Sequence, residues 1–282
     1  MNAIEICGLC KSYPGFSLQD VNLALPEGSI MGLVGENGAG KSTLIKLIMN
    51  AIPRDGGSVQ VLGVDNTNPE FKTVKEDIGI VLDEAYFPEV LTPKNVGKIM
   101  SNTYRRWDDA CFSRYLKEFK LPETKIFREF SRGMKMKLAI AVALSHKPKL
   151  LILDEATSGL DPIVRDEILD IFNDFTRDET HSILLSSHIV SDLEKICDYI
   201  AFIHNGKLLF CEEKDKLLEE YAVVRMSQAD FAQIPKEAVR SVKAGSYGVE
   251  ALVYKQMIRD AFTTEHTTIE EIILFLVKGG KQ

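Results

Sequence analysis

A glycine-rich stretch near the N-terminus has residue types that suit phosphate binding. Residues 35–43 read Gly-Glu-Asn-Gly-Ala-Gly-Lys-Ser-Thr and fit the spacing G-x-x-x-x-G-K-[ST], between an apolar run and a stretch with helical spacing. Glycines let backbone N–H groups turn towards a phosphate, and a helix N-terminus favours the same negative charge. The lysine suits the β- and γ-phosphate oxygens, and the serine hydroxyl suits Mg²⁺. We expect a nucleoside triphosphate to bind at Gly35, Glu36, Asn37, Gly38, Ala39, Gly40, Lys41, Ser42 and Thr43.

A second candidate site lies where an apolar run ends in two carboxylates. Residues 150–153 have the pattern of a buried strand, and Asp154 and Glu155 follow directly. Ligands of parallel sheets bind at the carboxyl edge of the strands, which is where these two side chains would lie. In enzymes that transfer phosphoryl groups, one such acid holds Mg²⁺ and another group orients the attacking water. The two motifs together predict a P-loop NTPase that uses ATP and Mg²⁺, with Ser42 and Asp154 towards the metal and Glu155 towards the water.

The surrounding pattern predicts an α/β fold, in which a mostly parallel sheet is flanked by helices and an N-terminal antiparallel portion precedes it. Apolar runs and alternation predict strands at residues 4–7, 16–25, 29–34, 58–62, 78–82, 150–153 and 182–186 and on both sides of the Asn205-Gly206 turn. Helical spacing predicts helices at residues 41–50, 162–175 and 189–197.

Two further regions differ from this alternating core. Residues 84–145 contain three helix-like stretches, at 91–104, 107–119 and 134–144, and we interpret them as an inserted helical subdomain. We therefore expect a nucleotide-binding domain over residues 1–220 and a small C-terminal accessory module over 221–282, with an amphipathic helix at 268–277.

The order of further short motifs resembles the ATPases of ATP-binding-cassette (ABC) transporters from about residue 2 to 218. Residues 130–134, Phe-Ser-Arg-Gly-Met, resemble the L-S-G-G-Q signature of that family and keep Ser131 and Gly133. Residues 158–161 resemble its D-loop, His188 stands where its switch histidine stands, and Tyr13 matches the aromatic residue that stacks on adenine. Taken alone, His188 has an ordinary structural interpretation, Tyr13 reads as a loop aromatic and Ser131 as a helix cap. Their joint order is what favours the family.

The resemblance implies a mechanism and partners. Two nucleotide-binding domains of that family pair head to tail around two ATP molecules, so Ser131 and Gly133 would contact the γ-phosphate bound by the partner's P-loop. Lys41, Glu155 and His188 would be the catalytic residues. A separate multi-span permease would turn closure of the pair into transport, with this chain bound to the cytoplasmic face of the membrane. Similar C-terminal tails occur on ATPases of ABC-2-type exporters, which favours export.

The chain departs from the family pattern in the Q-loop and in the signature, and it keeps the residues expected to bind and hydrolyse ATP. Asp83 stands where the Q-loop glutamine is usual, and the signature has Arg132 in place of its first glycine, with Phe130 and Met134 at its ends. Asp83 keeps an oxygen that can face Mg²⁺, so we include it as a metal-ligand candidate. The alternative is that its side chain turns towards solvent or caps a helix. Because Lys41 and Glu155 are kept, we expect an active ATPase.

Composition and charge argue against several other classes of protein. The net charge of −7 argues against nucleic acid as the main partner. Five cysteines at irregular spacing suit a reducing cytosol, no apolar run approaches the length of a membrane span, and the N-terminus lacks the pattern of a signal peptide, so we expect a cytoplasmic protein. The main alternative is an ABC ATPase that acts on ribosomes or DNA, which usually carries two cassettes or long coiled-coil insertions. A catalytically dead scaffold conflicts with the intact Glu155.

Overall fold

The computed structural model describes residues 1–83, 87–245, 248–258 and 267–278. The chain divides into two compact units, Met1–Cys211 and Glu212–Gln282. This division falls inside a strand, a few residues before the boundary at 220 that the sequence suggests.

An antiparallel sheet of four strands opens the first unit, in the spatial order β2-β1-β4-β5. Alternation of buried apolar and exposed polar residues along β2 is typical of a strand with one face on a core. The strands are β1 (Asn2–Tyr13), β2 (Phe16–Pro26), β4 (Gly56–Val61) and β5 (Val64–Asp65). The sequence predicts only residues 4–7 of β1, because its register shifts against both neighbours interrupt the alternation.

A second sheet of six strands has the order β10-β9-β3-β8-β7-β6, and its five strands from β9 to β6 pair in parallel. The central strands are buried on both faces, which explains their continuous apolar sequences. The strands are β3 (Ile30–Val34), β6 (Ile78–Val81), β7 (Leu150–Asp154), β8 (Ser182–Ser187), β9 (Tyr199–His204) and β10 (Lys207–Glu213). The predicted α/β fold, with a mostly parallel sheet and an N-terminal antiparallel portion, is confirmed.

Helices connect these strands and cover the sheet. One apolar core is shared by the two sheets and by α1, whose Leu44, Ile45 and Leu47 are buried in it. The helices of the core are α1 (Lys41–Ile48), the short α2 (Phe71–Val74), α6 (Pro162–Phe175) and α7 (Val190–Ile196). The sheet and α1 fix the two chain turns that carry the candidate site.

The described part of the segment between β6 and β7 contains three α-helices joined by turns and loops, and no strand. Its helices are α3 (Pro93–Ser101), α4 (Asp109–Glu118) and α5 (Arg132–Ser145), and α5 contacts α4 and β6. The C-terminal half of α5 is buried, and this helix connects the segment to the parallel sheet through its contact with β6. Helix α3 ends three residues before the predicted end at 104, and α5 begins at Arg132 because Ser131 caps it.

The second unit is a small α/β module with its own apolar core. Its three strands form an antiparallel sheet in the order β11-β13-β12. They are β11 (Tyr221–Met226), β12 (Val239–Gly245) and β13 (Gly248–Tyr254), accompanied by α8 (Lys214–Glu220), the short α9 (Gln228–Phe231) and α10 (Ile269–Lys278). The apolar face of α10 is buried through Ile269, Ile272 and Phe275, in the place where the sequence suggests an amphipathic helix.

Candidate nucleotide site

The glycine-rich loop connects the buried strand β3 to α1, and its glycines are required by close packing. At Gly40 the backbone has φ 117°, and a side chain there would place Cβ 2.8 Å from Leu18 and 2.9 Å from Phe16. At Gly35 a Cβ would lie 2.6 Å from the carbonyl oxygen of Ile203. The backbone N–H of Gly206 also donates to the Ala39 carbonyl at 3.0 Å. The loop is therefore held against β2 and the β9–β10 turn in one conformation.

The N-terminus of α1 opens towards this loop without a side-chain cap. Gly40 is the capping residue and offers no side-chain acceptor, so the N–H groups of the first turn keep no partner within the helix. These N–H groups carry the positive end of the helix dipole, a combination that suits a phosphate. Ser42 is exposed in the same turn, and Glu36, Asn37 and Gly38 form the exposed rim of the loop.

Lys41 folds back over the loop and is nearly buried, with 6% of its surface exposed. Its Nζ donates to the Gly35 carbonyl at 2.7 Å and to the Glu36 carbonyl at 3.4 Å. The same ammonium lies 3.1 Å from Oε1 of Glu155. The buried ammonium of Lys41 can reach the oxygens of a phosphate bound by the backbone N–H groups of the loop. In this structure the carboxylate of Glu155 balances its charge.

The two predicted acids lie at the carboxyl edge of β7, where the adjacent β8 supports them. Asp154 is 5% exposed, and its Oδ1 accepts from the hydroxyl of Ser186 at 2.5 Å. The backbone N–H of Glu155 donates to the Ser186 carbonyl at 3.0 Å. Ser186 was not among the predicted site residues, because its contact depends on the parallel register of two strands distant in sequence.

Glu155 has an unusual backbone and two charged or polar neighbours. Its φ is 53°, a left-handed conformation that costs a non-glycine residue energy and is concentrated at functional sites. Oε2 of Glu155 lies 2.7 Å from Nδ1 of His188, so in this contact Nδ1 carries the proton and donates. The carboxylate thus lies between Lys41 and His188.

The chemistry of these groups fits a Mg²⁺–nucleotide complex. Among the described residues no group of three or more His, Cys, Asp or Glu side chains forms a metal cluster. Mg²⁺ commonly keeps water and phosphate oxygens as ligands and takes only one or two carboxylates from the protein. The buried Asp154 and the exposed hydroxyl of Ser42 suit this mode.

A shallow depression of about 460 Å³ lies beside the loop, at the turn between β1 and β2. Tyr13 contributes a ring that is 43% exposed, with Lys11 Nζ 5.5 Å from its centroid. An exposed aromatic ring in a depression suits a nucleobase face. The depression is lined by Ser12, Tyr13, Gly15, Phe16, Ser17 and Asn205. Phe16 and Asn205 were not among the predicted site residues, and only folding brings the Asn205-Gly206 turn next to Tyr13.

The signature residues and Asp83 form a second group around the start of α5. Ser131 caps this helix, and its Oγ accepts from the Met134 N–H at 3.2 Å. Arg132 Nη2 lies 3.1 Å from Asp83 Oδ1, with both side chains about half exposed. The same guanidinium covers Gly159, where an added Cβ would lie 2.8 Å from Nη1. Gly133 follows Arg132 in the first turn of α5.

The side chain of Asp83 is 54% exposed, as the alternative of an outward-turned carboxylate expects. Its Oδ1 pairs with the guanidinium of Arg132 in the signature and caps no helix N–H group among the described residues. The ion pair with Arg132 competes with the predicted role of Asp83 as a metal ligand, and Arg132 is one of the three residues that depart from the family signature. The two departures from the family pattern are therefore in contact with each other.

Comparisons with known proteins show the family to which the chain is related. The family described as ABC transporter matches residues 18–158. The ABC transporter ATP-binding protein YtrB of Bacillus subtilis is 33% identical over 79% of this chain and 76% of its own length. The lantibiotic transport ATP-binding protein SrtF of Streptococcus pyogenes is 34% identical over 75% of this chain and 91% of its own length. A solved structure described as the ATP-binding subunit of an ABC transporter aligns with a TM-score of 0.69 and 28% identity, over 76% of this chain and 91% of that one.

The family match includes residues 35–43, Asp83, residues 131–133, Asp154 and Glu155, and Tyr13 and His188 lie outside it. The chain belongs to the ABC transporter family, as an ATP-binding subunit with ATPase activity.

Proposed function

We propose that this chain hydrolyses ATP through a linked set of three side chains and thereby drives export through a separate membrane permease. The observation that carries the hydrolytic part is the position of Glu155, 3.1 Å from Lys41 Nζ and 2.7 Å from His188 Nδ1. Few structural reasons exist for burying a carboxylate in a left-handed backbone conformation between these two groups. A reaction that needs an oriented water explains the arrangement.

In this proposal the loop residues bind the triphosphate before any chemistry occurs. The N–H groups at the start of α1 and the rim residues 36–38 surround the β-phosphate, and Lys41 shifts from Glu155 to the β- and γ-phosphate oxygens. Ser42 and Asp154 would hold Mg²⁺, which would neutralise the charge that develops on the phosphate oxygens. Thr43 also contacts the nucleotide, and the exposed ring of Tyr13 stacks on its base.

Departure of Lys41 to the phosphates changes the role of Glu155. Its Oε1 loses the neighbouring cation and becomes free to accept from a water molecule in line with the γ-phosphate. His188 donates to Oε2 and fixes the direction in which the carboxylate points. Because phosphoryl transfer depends almost entirely on positioning and electrostatics, this orientation is what we expect to control turnover.

A second copy or a related chain completes the site. The start of α5 has no acidic residue in its first turn and presents the exposed Ser131, so its N-terminal dipole favours an anion there in addition to Asp83, which pairs with Arg132. In a head-to-tail pair Ser131 and Gly133 would contact the γ-phosphate held by the partner's loop. ATP would then be part of the interface, and its hydrolysis would release the pair.

The transport part of the proposal depends on a permease chain. No helix in the described part of the chain has the length and apolar character needed to cross a membrane. The relative from Streptococcus pyogenes is named for lantibiotic transport, which favours export of a compound by an ATPase on the cytoplasmic face of the membrane. The net charge of −7 and the transport relatives argue against the alternative of action on ribosomes or DNA.

Replacement of Glu155 by Gln tests the proposal. Glu155→Gln keeps the size of the side chain but removes the charge that orients water, so hydrolysis should fall about 100-fold or more while ATP still binds. We expect the variant to accumulate as an ATP-bound dimer in gel filtration. Glu118→Gln, an exposed change on α4, is the matched control and should hydrolyse ATP normally. Near-normal hydrolysis by Glu155→Gln would refute the assigned role.

A further inference from the structure

Two helices begin directly behind the catalytic residues, and the loops that lead into them are short. Helix α6 begins at Pro162, immediately after the D-loop residues 158–161. Helix α7 begins at Val190, and only His188 and Ile189 separate it from β8. Because this connection is so short, any rotation of α7 also moves His188.

An ion pair between a buried carboxylate and a guanidinium side chain that is 28% exposed joins the first turns of these helices. Asp192 of α7 is 5% exposed, and its Oδ1 lies 3.7 Å from Nη1 of Arg165 on α6. Within the described residues, Oδ2 of Asp192 and Nε of Arg165 are buried without a hydrogen-bond partner. Burial of incompletely paired charges usually contributes little to stability or lowers it. Stability alone is therefore a poor explanation for the pair.

Arg165 also binds the loop in front of its own helix. Its Nη2 donates to the carbonyl oxygen of Leu160 at 3.4 Å. The N–H of Ser158, in the same loop, donates to the carbonyl oxygen of Glu155 at 3.0 Å. One guanidinium thus connects the loop that starts at Glu155 with the helix that begins two residues after His188.

These contacts form a closed circuit around the proposed water site. It runs from Glu155 through the 158–161 loop to Arg165, across to Asp192, and back through α7 to His188. His188 closes the circuit on Glu155 at 2.7 Å. A shift of the 158–161 loop or of the connection before α7 would therefore change the contact between His188 and Glu155.

We propose that Arg165 and Asp192 are positioning residues for ATP hydrolysis, which hold His188 and the D-loop in register with Glu155. This inference rests on the proposed roles of Glu155 and His188. Neither side chain needs to contact the nucleotide, so the pair acts on turnover and leaves nucleotide binding to the glycine-rich loop.

The same two helices provide a matched control. Asp166 of α6 and Lys195 of α7 also form an ion pair, but both side chains are more than half exposed. Asp166→Asn therefore makes the same chemical change, on the same pair of helices, away from the circuit. Exposed pairs of this kind contribute little, so this variant should fold and hydrolyse ATP normally.

The experiment measures kcat, KM and the melting temperature of the full chain for Asp192→Asn, Arg165→Met, their double variant and Asp166→Asn. We expect Asp192→Asn to lower kcat about 10- to 100-fold, as small misplacements in active sites do, with KM for ATP nearly unchanged. Arg165→Met should behave alike, and the double variant should lose no more than either single variant, because the two residues act through one another. Asp192→Glu, which keeps the charge, should recover part of the lost kcat.

Three results would overturn the inference. One is wild-type kcat in Asp192→Asn, another is a rise in KM that accounts for the whole loss, and the third is an equal loss of kcat in Asp166→Asn. Glu155→Gln is measured alongside and separates this inference from the proposed function. If Glu155→Gln is inactive and Asp192→Asn is normal, only the positioning role fails. If Glu155→Gln remains active, the proposed site itself is wrong.

Discussion

The phosphate face, formed by residues 35–43 with Asp154 and Glu155, and the signature face, formed by residues 131–133 with Asp83, are built differently. On the phosphate face Lys41, Asp154 and Glu155 are 6%, 5% and 9% exposed. On the signature face the side chains of Asp83 and Arg132 are 54% and 53% exposed. The first face has its polar groups paired and fixed within one chain. The second has a capped helix start and an ion pair open to solvent, as expected of a surface that another molecule completes.

This difference indicates how strongly the polar groups of each face can act on a bound phosphate within a single chain. Groups buried on the phosphate face have already lost their solvent and most of their freedom, so they act at close to full electrostatic strength on a bound phosphate. Groups on the signature face gain that strength only when a partner excludes water. Changes on the phosphate face should therefore have large effects in a single chain, and changes on the signature face should depend on pairing.

The largest effect is expected from Lys41→Ala. Removal of a charge about 4 Å from the phosphates costs up to ~4 kcal/mol at an effective dielectric constant near 20, so ATP affinity should fall by up to about 1,000-fold and turnover should disappear. Calorimetric titration with Mg-ATP measures the affinity, and circular dichroism should report an intact fold. Lys46→Ala, at the exposed far end of the same helix, is the control and should bind ATP normally. Unchanged affinity in Lys41→Ala would contradict the phosphate role of the loop.

The contrast between the faces also shows what could be predicted from the sequence. Residues 35–43 are contiguous, and their glycines and the following helix start specify one local conformation, so the phosphate-binding loop is predictable from local spacing. Asp154 and Glu155 are predictable because a buried strand that ends in acids places them at the sheet edge. The contacts of Ser186 and Asp192 depend on strands and helices that meet only in the fold, and no local pattern contains them.

The remaining differences between the sequence-based predictions and the structure also arise from contacts between elements that are distant in sequence. Strand β1 extends over Asn2–Tyr13 because β2 and β4 pair with it on both sides, although its irregular alternation predicts only a short strand. The three strands of the second unit were not predicted, since each is short and gains its stability from the other two. The contact between Asp83 and Arg132 links two residues that are individually unusual for the family, and only the structure connects them.

A smaller effect, confined to the signature face, is expected from Ser131. Ser131→Ala removes the helix cap and should lower the free energy of unfolding by about 1 kcal/mol, as should Thr92→Ala at the cap of α3. Ser131→Asp keeps a good cap but places a negative charge where the partner's γ-phosphate would lie. We expect Ser131→Asp to retain stability in chemical denaturation and to lose ATP-dependent dimerisation and turnover. Normal dimerisation of this variant would exclude Ser131 from the interface.

The smallest effect is expected from Asp83→Asn, and it distinguishes two roles for the carboxylate. A metal-sensing Asp83 would repel the triphosphate when Mg²⁺ is absent, so its neutralisation would raise metal-free ATP affinity and change Mg-ATP affinity much less. The ion pair with Arg132 at 3.1 Å supplies a positive charge without a metal, and exposed pairs contribute about 0–1 kcal/mol. We therefore expect affinity to change by less than about fivefold, and equally with and without Mg²⁺. Asp77→Asn, before the other end of β6 and paired with Arg106, is the matched control. Titration of wild type and both variants with ATP, in Mg²⁺ and in chelator, measures this difference, and a selective gain in chelator for Asp83→Asn would restore the metal-sensing role.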